Sequence, residues 1–497
     1  MTTVDARRVE EPRPAGAVSL DDRFRLDEGR VFLTGVQALV RAPLDQVRRD
    51  RRAGLRTGGF ITGYPGSPLG GYDLALKQNR TLLDEHDIVH QMGQNEELAA
   101  SALMGTQLLE RYPHSRYDGV TGFWYGKGPG MDRAGDSLRH GNFAGTTTHG
   151  AVVVLSGEDH EAKSSSLPYE QEYAFAHAGI PVLYPSSVAE FLSFSAHAVA
   201  MSRYSGCWVA LKLVGQLCDG GQTIDLDPAQ PQIVVPEVEI DGRPFRKWQD
   251  HAFFPGKVVE TERHVFTERH PAAVAYTKVN GLNEITVRGG SDTLGIVTAG
   301  KSYADTLQAL RDLGIGEGDL RAAGVRLIKI GAIYPLDAEF VREAARDLDE
   351  VVVVEEKRPI LEDAVKVALC NLASGPRVHG KRDLEDRVRF AQYGSLDADA
   401  VARGLAPVLR PRLREQIILD RRTEELASVA GRDYSATLKR APNYCSGCPH
   451  NVSTIVPEGQ VAGALRVATS SPRSWTSPSG RSTPPSRSAA RASRGSG

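Results

Sequence analysis

Cysteine is scarce in this sequence: five in 497 residues, too few for the disulfide framework that holds small secreted domains together. Net charge is scarce too. The 60 Lys and Arg stand against 62 Asp and Glu, leaving −2, so the chain as a whole has no field of one sign for nucleic acid or an anionic membrane. Long apolar runs are missing. None approaches the roughly 20 residues that span a bilayer, and the opening MTTVDARRVEEPRPAG lacks the apolar stretch of a secretory signal. Together these absences favour a cytoplasmic protein with neither a nucleic-acid nor a membrane partner.

What is present is ordinary globular material. A hydrophobic fraction of 41% allows packed cores, and the length suits two or three domains. Residues 1–28, rich in Pro, Arg and acids, predict a flexible N-terminus. Val31 to Arg56 predicts a helix interrupted at Pro43. Short apolar strands then alternate with helical stretches. Phe60–Gly63, Val120–Tyr125, Ala151–Leu155, Pro181–Tyr184 and Cys207–Val214 read as strands; Pro168–Ala178 and Ser187–Met201 read as helices. That alternation predicts an α/β fold with a parallel sheet covered on both faces, over residues 29–220. Pro and mixed charge predict a linker over 221–288. Alternation returns over 289–410, with strands at Thr293–Thr298, Val325–Ile330 and Glu350–Val354, and predicts a second α/β domain.

One stretch concentrates the chemistry, Gly58 to Glu110. A strand runs into Tyr64-Pro65-Gly66-Ser67-Pro68, and a helix follows with Glu96 in its first turn and Leu98, Ala102, Gly105 and Leu109 on one face. A strand-end loop with a hydroxyl and a helix start with a carboxylate can meet at the carboxyl edge of a parallel sheet, where open α/β folds bind ligands. Gly126-Lys127-Gly128-Pro129-Gly130 matches no phosphate-binding fingerprint and predicts a tight turn beside a ligand or another backbone. Asp132, Arg133, Asp136, Arg139 and His140 predict a solvated face. Asp159 and His160 suggest an acid/base pair or metal ligands, but no third ligand has metal spacing, so a plain loop is favoured. Glu355 and Glu356 predict exposed charge after a strand, with a functional role no better supported. Cys207 and Cys218 predict small buried apolar residues.

Near the end stands Cys445-Ser446-Gly447-Cys448-Pro449-His450. A thioredoxin-like pair would need a preceding strand. Zinc would need ligands beyond these two thiolates and His450, and an iron–sulfur cluster needs four. Cys445 and Cys448 therefore read as half of a site or as incidental thiols. From residue 461 onward no Asp, Glu or Lys occurs. That shift predicts either a disordered basic tail or an out-of-frame one, after an incomplete domain over 411–460.

Taken together, these motifs resemble the thiamine-diphosphate-dependent 2-oxoacid:ferredoxin oxidoreductases, in particular members acting on aryl pyruvates such as indolepyruvate. Tyr64-Pro65-Gly66-Ser67-Pro68 is similar to the family's YPGTP loop, with Ser67 in the threonine's place. Asn95-Glu96, Ala99 and Gly105 are similar to its NE…A…GA helix, with Thr106 as a departure, and Cys445 to His450 to its CPGCPH. The resemblance implies a pyrimidine-binding domain (29–220), a transketolase-C-terminal-like domain (289–410) and the start of a diphosphate-binding domain. It implies oxidative decarboxylation of a 2-oxoacid to an acyl-CoA, with electrons passing through a [4Fe–4S] cluster to ferredoxin. Glu96 would bond N1′ of the aminopyrimidine beside Tyr64, Pro65 and Gly66. Ser67 would donate to the substrate carboxylate or carbonyl, and Cys445 and Cys448 would hold two cluster sites. The family's GDG…N motif for magnesium and diphosphate does not follow Cys448. The expectation is thus a chain inactive alone, or a subunit completed by a partner chain, or as a homodimer; a non-catalytic binding or structural protein is the alternative.

Overall fold

The computed structural model describes residues 19–112, 114–161, 167–413, 416–430 and 452. Its first element of note differs from expectation. Gly29–Thr34 (β1) is a strand, and the helix begins only at Gly35 (α1, Gly35–Arg52). Val31 and Leu33 point inward while Phe32 is 60% exposed, the period of two that a strand requires. Thr34 caps the helix in a reciprocal capping box with Gln37. The helix runs on through Pro43, held by buried Ala38, Leu39, Leu44 and Val47.

The first domain is built on Thr57–Gly63 (β2), Gly70–Gln78 (α2), Ile88–His90 (β3), Glu96–Thr106 (α3), Gly119–Lys127 (β4), Gly128–Ala144 (α4), Ala151–Glu158 (β5), Glu172–Ala178 (α5), Val182–Leu183 (β6), Val188–Ser205 (α6) and Val209–Val214 (β7). Gly221–Leu226 (β8) pairs antiparallel with β1, outside the main sheet. Strands β6, β7, β5, β4, β2 and β3 lie side by side in that order, all parallel. Every residue of β5 and β7 is buried, which is why Ala151–Leu155 and Val209–Leu211 read as apolar runs rather than alternating ones; Glu158 and Lys212, buried too, pair with each other. The helix expected over Pro168–Ala178 is confined to α5, whose C-terminus turns at Gly179 in the left-handed region (φ 66°).

The stretch 221–288, expected as a linker, holds more structure than that. It contains β8, a helical rod of Val258–His264 (α7) and His270–Val279 (α8) joined by a π-helical turn, and Asn283–Val287 (β9). The rod is docked by Arg269, fully buried, whose guanidinium donates to the Asn142 and Phe143 carbonyls of α4.

The second sheet adds Leu294–Ala299 (β10), Gly300–Asp312 (α9), Val325–Ile330 (β11), Ala332–Tyr334 (β12), Ala338–Ala344 (α10), Glu350–Val354 (β13), Ile360–Leu369 (α11) and Arg377–His379 (β14), with Ala398–Leu409 (α12) packed on it. Its order is β9-β11-β10-β13-β14, parallel except for β9. Strand β12 belongs elsewhere. It leaves this sheet and pairs antiparallel with β6, as the seventh strand of the first. Tyr184 N donates to Gly331 O at 2.8 Å, and Asn283 Oδ1 accepts from the backbone of Gly331 and Ala332. One core cluster accordingly contains Val182, Tyr184 and Trp208 together with Ile328, Ile330 and Val353. The two domains share a sheet edge and a core. Among the described residues no helix is long and apolar enough to cross a membrane.

Candidate active site at the carboxyl edge

Parallel strands deliver their following loops to one edge. After β2 comes Tyr64 to Pro68, after β3 Gln91 to Asn95, after β4 the start of α4, and after β5 Asp159 and His160. Glycines make the crowding tolerable. A Cβ on Gly63 would stand 2.0 Å from the Tyr125 carbonyl oxygen, and the Gly93 amide donates to Gly63 O at 2.9 Å. The loop after β3 is thereby tied down beside the end of β2.

That loop sets Glu96. Asn95 caps α3, its side chain accepting from Leu98 N at 2.8 Å. Trp124 of β4, fully buried, donates its Nε1 to the Glu96 carbonyl at 3.0 Å. The Glu96 side chain folds back over the first turn of α4, where a Cβ on Gly130 would meet its Cγ at 2.7 Å and Oε1 at 3.0 Å. Glu96 is 9% exposed, yet its carboxylate has no hydrogen-bond or ion-pair partner among the described residues. Its oxygens are not among the buried partnerless ones, so the carboxylate is open to a ligand at the edge. Glu97 is exposed.

Ser67 is half-buried, and its Oγ donates to Asp159 Oδ2 at 3.4 Å, a long bond. Tyr64 is 42% exposed, and Pro65 and Gly66 line the same loop half-buried. Glu96, Ser67 and the Tyr64–Gly66 backbone thus come to one edge. Cys445 and Cys448, with the tail, lie outside the described residues.

The buried stripe of α3 differs from expectation. Ala99, Ala100 and Leu103 are buried, whereas Leu98 is 50% exposed and Ala102 and Gly105 face outward. Ala99 and Ala100 let α3 approach α4 and the sheet closely, and Leu103 packs beside them. The glycine-rich loop opens α4 rather than forming a separate turn: Gly128 lies under the Tyr169 ring and Gly130 under Glu96. Asp132, Arg133, Asp136 and His140 are exposed, with Arg139 partly so.

Glu355 and Glu356 are corrected most sharply. They are 7% and 5% exposed, because Glu355 folds onto the first turn of α11 and Glu356 meets His160 of the loop after β5 and Lys301 of α9. His160 Nε2 lies 2.9 Å from Glu158 Oε2, and its Nδ1 lies 2.9 Å from Glu356 Oε2. Lys212 pairs with Glu158 at 3.2 Å and also with Glu172. Lys301 holds Glu356 Oε1 at 3.1 Å and Asp305 at 2.6 Å, and the Glu355 carboxylate accepts from the first turn of α11. Burial alone would lower the His160 pKa; the Glu356 charge, then Glu158, outweigh it and raise it to about 9. Burial likewise opposes ionisation of Glu356, but His160 and Lys301 hold it well below the usual carboxylate range. Asp159 and His160 do not act together: the first faces Ser67, the second the interior. Among the described residues no group of three or more His, Cys, Asp or Glu is arranged to hold a metal ion.

Comparison with known proteins places this architecture. Residues 285–433 match the model of the indolepyruvate oxidoreductase domain. The chain is similar to indolepyruvate oxidoreductase subunit IorA of Methanothermobacter marburgensis, 24% identical over 437 residues, covering 87% of this chain and 61% of that protein. These matches make the chain IorA-like: it is similar to proteins of the 2-oxoacid:ferredoxin oxidoreductase family. The IorA of Archaeoglobus fulgidus is likewise 24% identical over 443 residues, with 87% of this chain and 62% of that one covered. The IorA-like chain thus spans about three-fifths of the length of the curated relatives it matches. A solved structure of 2-oxoglutarate:ferredoxin oxidoreductase from Magnetococcus marinus, with 2-oxoglutarate, coenzyme A and succinyl-CoA bound, is similar at TM-score 0.55 and 12% identity. The match covers 77% of this chain and 66% of that one, and is a likeness of fold.

Proposed function

We propose that this chain supplies the pyrimidine-binding side of a thiamine-diphosphate-dependent oxidoreductase. Its substrate is an aryl 2-oxoacid such as indolepyruvate, which loses carbon dioxide while coenzyme A takes the acyl group. Cys445 and Cys448 would contribute ligands to a [4Fe–4S] cluster, which would supply single-electron transfer to ferredoxin. The observation that carries this reading is Glu96: a largely buried residue whose carboxylate, without a partner among the described residues, opens at the carboxyl edge of a parallel sheet. A ring nitrogen that is protonated or able to share a proton is the partner such a group lacks. Thiamine diphosphate, when bound, supplies the electron sink for breaking the carbon–carboxylate bond.

The chain's own residues bind and orient. Glu96 holds a proton at N1′ of the aminopyrimidine, fixed from below by Gly130 and at its backbone by Trp124. The Tyr64-Pro65-Gly66 backbone flanks the ring. Ser67 Oγ, leaving its long bond to Asp159, donates to the substrate. Magnesium and the diphosphate fall to a diphosphate-binding domain or partner subunit meeting this edge. The surface beside Glu96, with Met92 of the preceding loop at 45% and Leu98 of α3 at 50% exposure, supports such a contact. Cys445 and Cys448 remain the proposed cluster ligands of this chain and enter no step drawn from the geometry.

Calorimetric titration of thiamine diphosphate with magnesium into the full chain and its Glu96→Gln variant tests the reading. Binding that weakens in the variant supports it. Equal binding in both sinks it and favours a non-catalytic role.

A further inference from the structure

The last residue of β4, Lys127, lies with its methylenes flat across Gly66. A Cβ built on Gly66 would stand 2.6 Å from Lys127 Cδ, 2.9 Å from Cε and 3.0 Å from Cγ. Only glycine leaves that track open. The side chain is half-buried, and its ammonium has no hydrogen-bond or ion-pair partner among the described residues. Among the described residues the amines of Lys212, Lys301 and Lys357 near this edge are engaged: Lys212 with Glu158 and Glu172, Lys301 with Asp305 and Glu356, Lys357 with the His160 carbonyl.

The charges around Lys127 make its freedom informative. Asp159 stands behind Ser67 and Glu96 lies over Gly130. An anionic substrate entering between them meets two carboxylates, and a hydroxyl already turned toward one of them. A neutral hydrogen-bond donor does not offset that repulsion; a cation does. Lys127 starts α4 between the Ser67 loop and Glu96, so it can reach an anion held at either side.

We propose that Lys127 receives the carboxylate of the substrate and so selects 2-oxoacids over neutral carbonyl compounds. This rests on the proposed function for the substrate class, but its test needs no turnover and no Glu96–cofactor bond.

The experiment is lysine acylation of the full chain, read at Lys127 by mass spectrometry, with phenylpyruvate, its neutral amide or thiamine diphosphate as competitor. Phenylpyruvate at saturation should slow acylation of Lys127 roughly ten-fold, as mass action requires, and the amide should not. The same protection should persist in Glu96→Gln, which separates this inference from the cofactor role of Glu96. Lys127→Arg should retain binding of phenylpyruvate in a direct titration, and Lys127→Met should lose it. Equal protection by acid and amide overturns the proposal, as does no protection by the acid. Protection by thiamine diphosphate alone also overturns it, assigning the cation to the diphosphate.

Discussion

His160 Nδ1 meets Glu356 Oε2 at 2.9 Å, joining the loop after β5 in the first domain to the end of β13 in the second. The contact is an ion pair too poorly aligned to count as a hydrogen bond, and it works because Glu158 holds the other ring nitrogen at 2.9 Å. An imidazole with an acceptor on both nitrogens is satisfied only when protonated.

That state predicts how stability depends on pH. The His160 pKa is raised from 6.5 to about 9, so its contribution is fully present below 6.5 and is lost as pH rises through about 9. The shift corresponds to about 3 kcal/mol at 1.36 per unit. Urea unfolding of wild type should lose that much between these limits, and His160→Gln should show a shallower slope there. Parallel curves for the two proteins would sink the assignment.

Glu356 is the shared partner of His160 and Lys301. Glu356→Gln leaves both cations buried with too little negative charge, and removing one member of such a set destabilises by about 3–5 kcal/mol. Lys301→Met in the same chain should restore part of the loss, because the two sites share a partner. A Glu356→Gln protein within about 0.5 kcal/mol of wild type would show that the cluster does not hold the domains.

Much of this molecule is legible in its sequence, for identifiable reasons. The runs Ala151–Leu155 of β5 and Val209–Leu211 of β7 are apolar without a break, and the Tyr64–Pro68 loop and Asn95-Glu96 announce themselves by residue type. What stayed hidden depends on long-range contact. Nothing local shows that β12 leaves its own domain to pair with β6, or that Glu355 is buried against α11 and Glu356 against His160 and Lys301. The packing of α3 misled because more than one stripe of this short apolar helix keeps the helical period: Ala99, Ala100 and Leu103 are buried and Leu98 is not. Gly130 and Trp124, which set Glu96, carry no signal of that role until the fold brings them together.

Gly130 provides a clean perturbation of Glu96. Alanine there adds a Cβ 2.7 Å from the Glu96 Cγ, so the carboxylate must shift. In an α-helix interior the same change favours folding by up to about 1 kcal/mol. Gly130→Ala should therefore unfold no more easily than about 1 kcal/mol below wild type, while its affinity for thiamine diphosphate falls about ten-fold, or 1.4 kcal/mol. Unchanged affinity in a folded variant would mean that the position of Glu96 does not govern binding.

Leu98 tests whether the edge is completed by another surface. It is 50% exposed, in the first turn of α3 two residues beyond Glu96. Aspartate there meets solvent in the isolated chain and lies favourably at a helix N-terminus, so the unfolding free energy should stay within about 0.5 kcal/mol of wild type. If a diphosphate-binding domain or partner subunit covers this face, a charge placed on it must be desolvated when they meet. Assembly of Leu98→Asp with that partner, followed by light scattering, should then weaken at least ten-fold, with ferredoxin reduction falling in step. An aspartate variant that assembles and turns over like wild type would place the completing surface elsewhere on the edge, away from the outward side of α3.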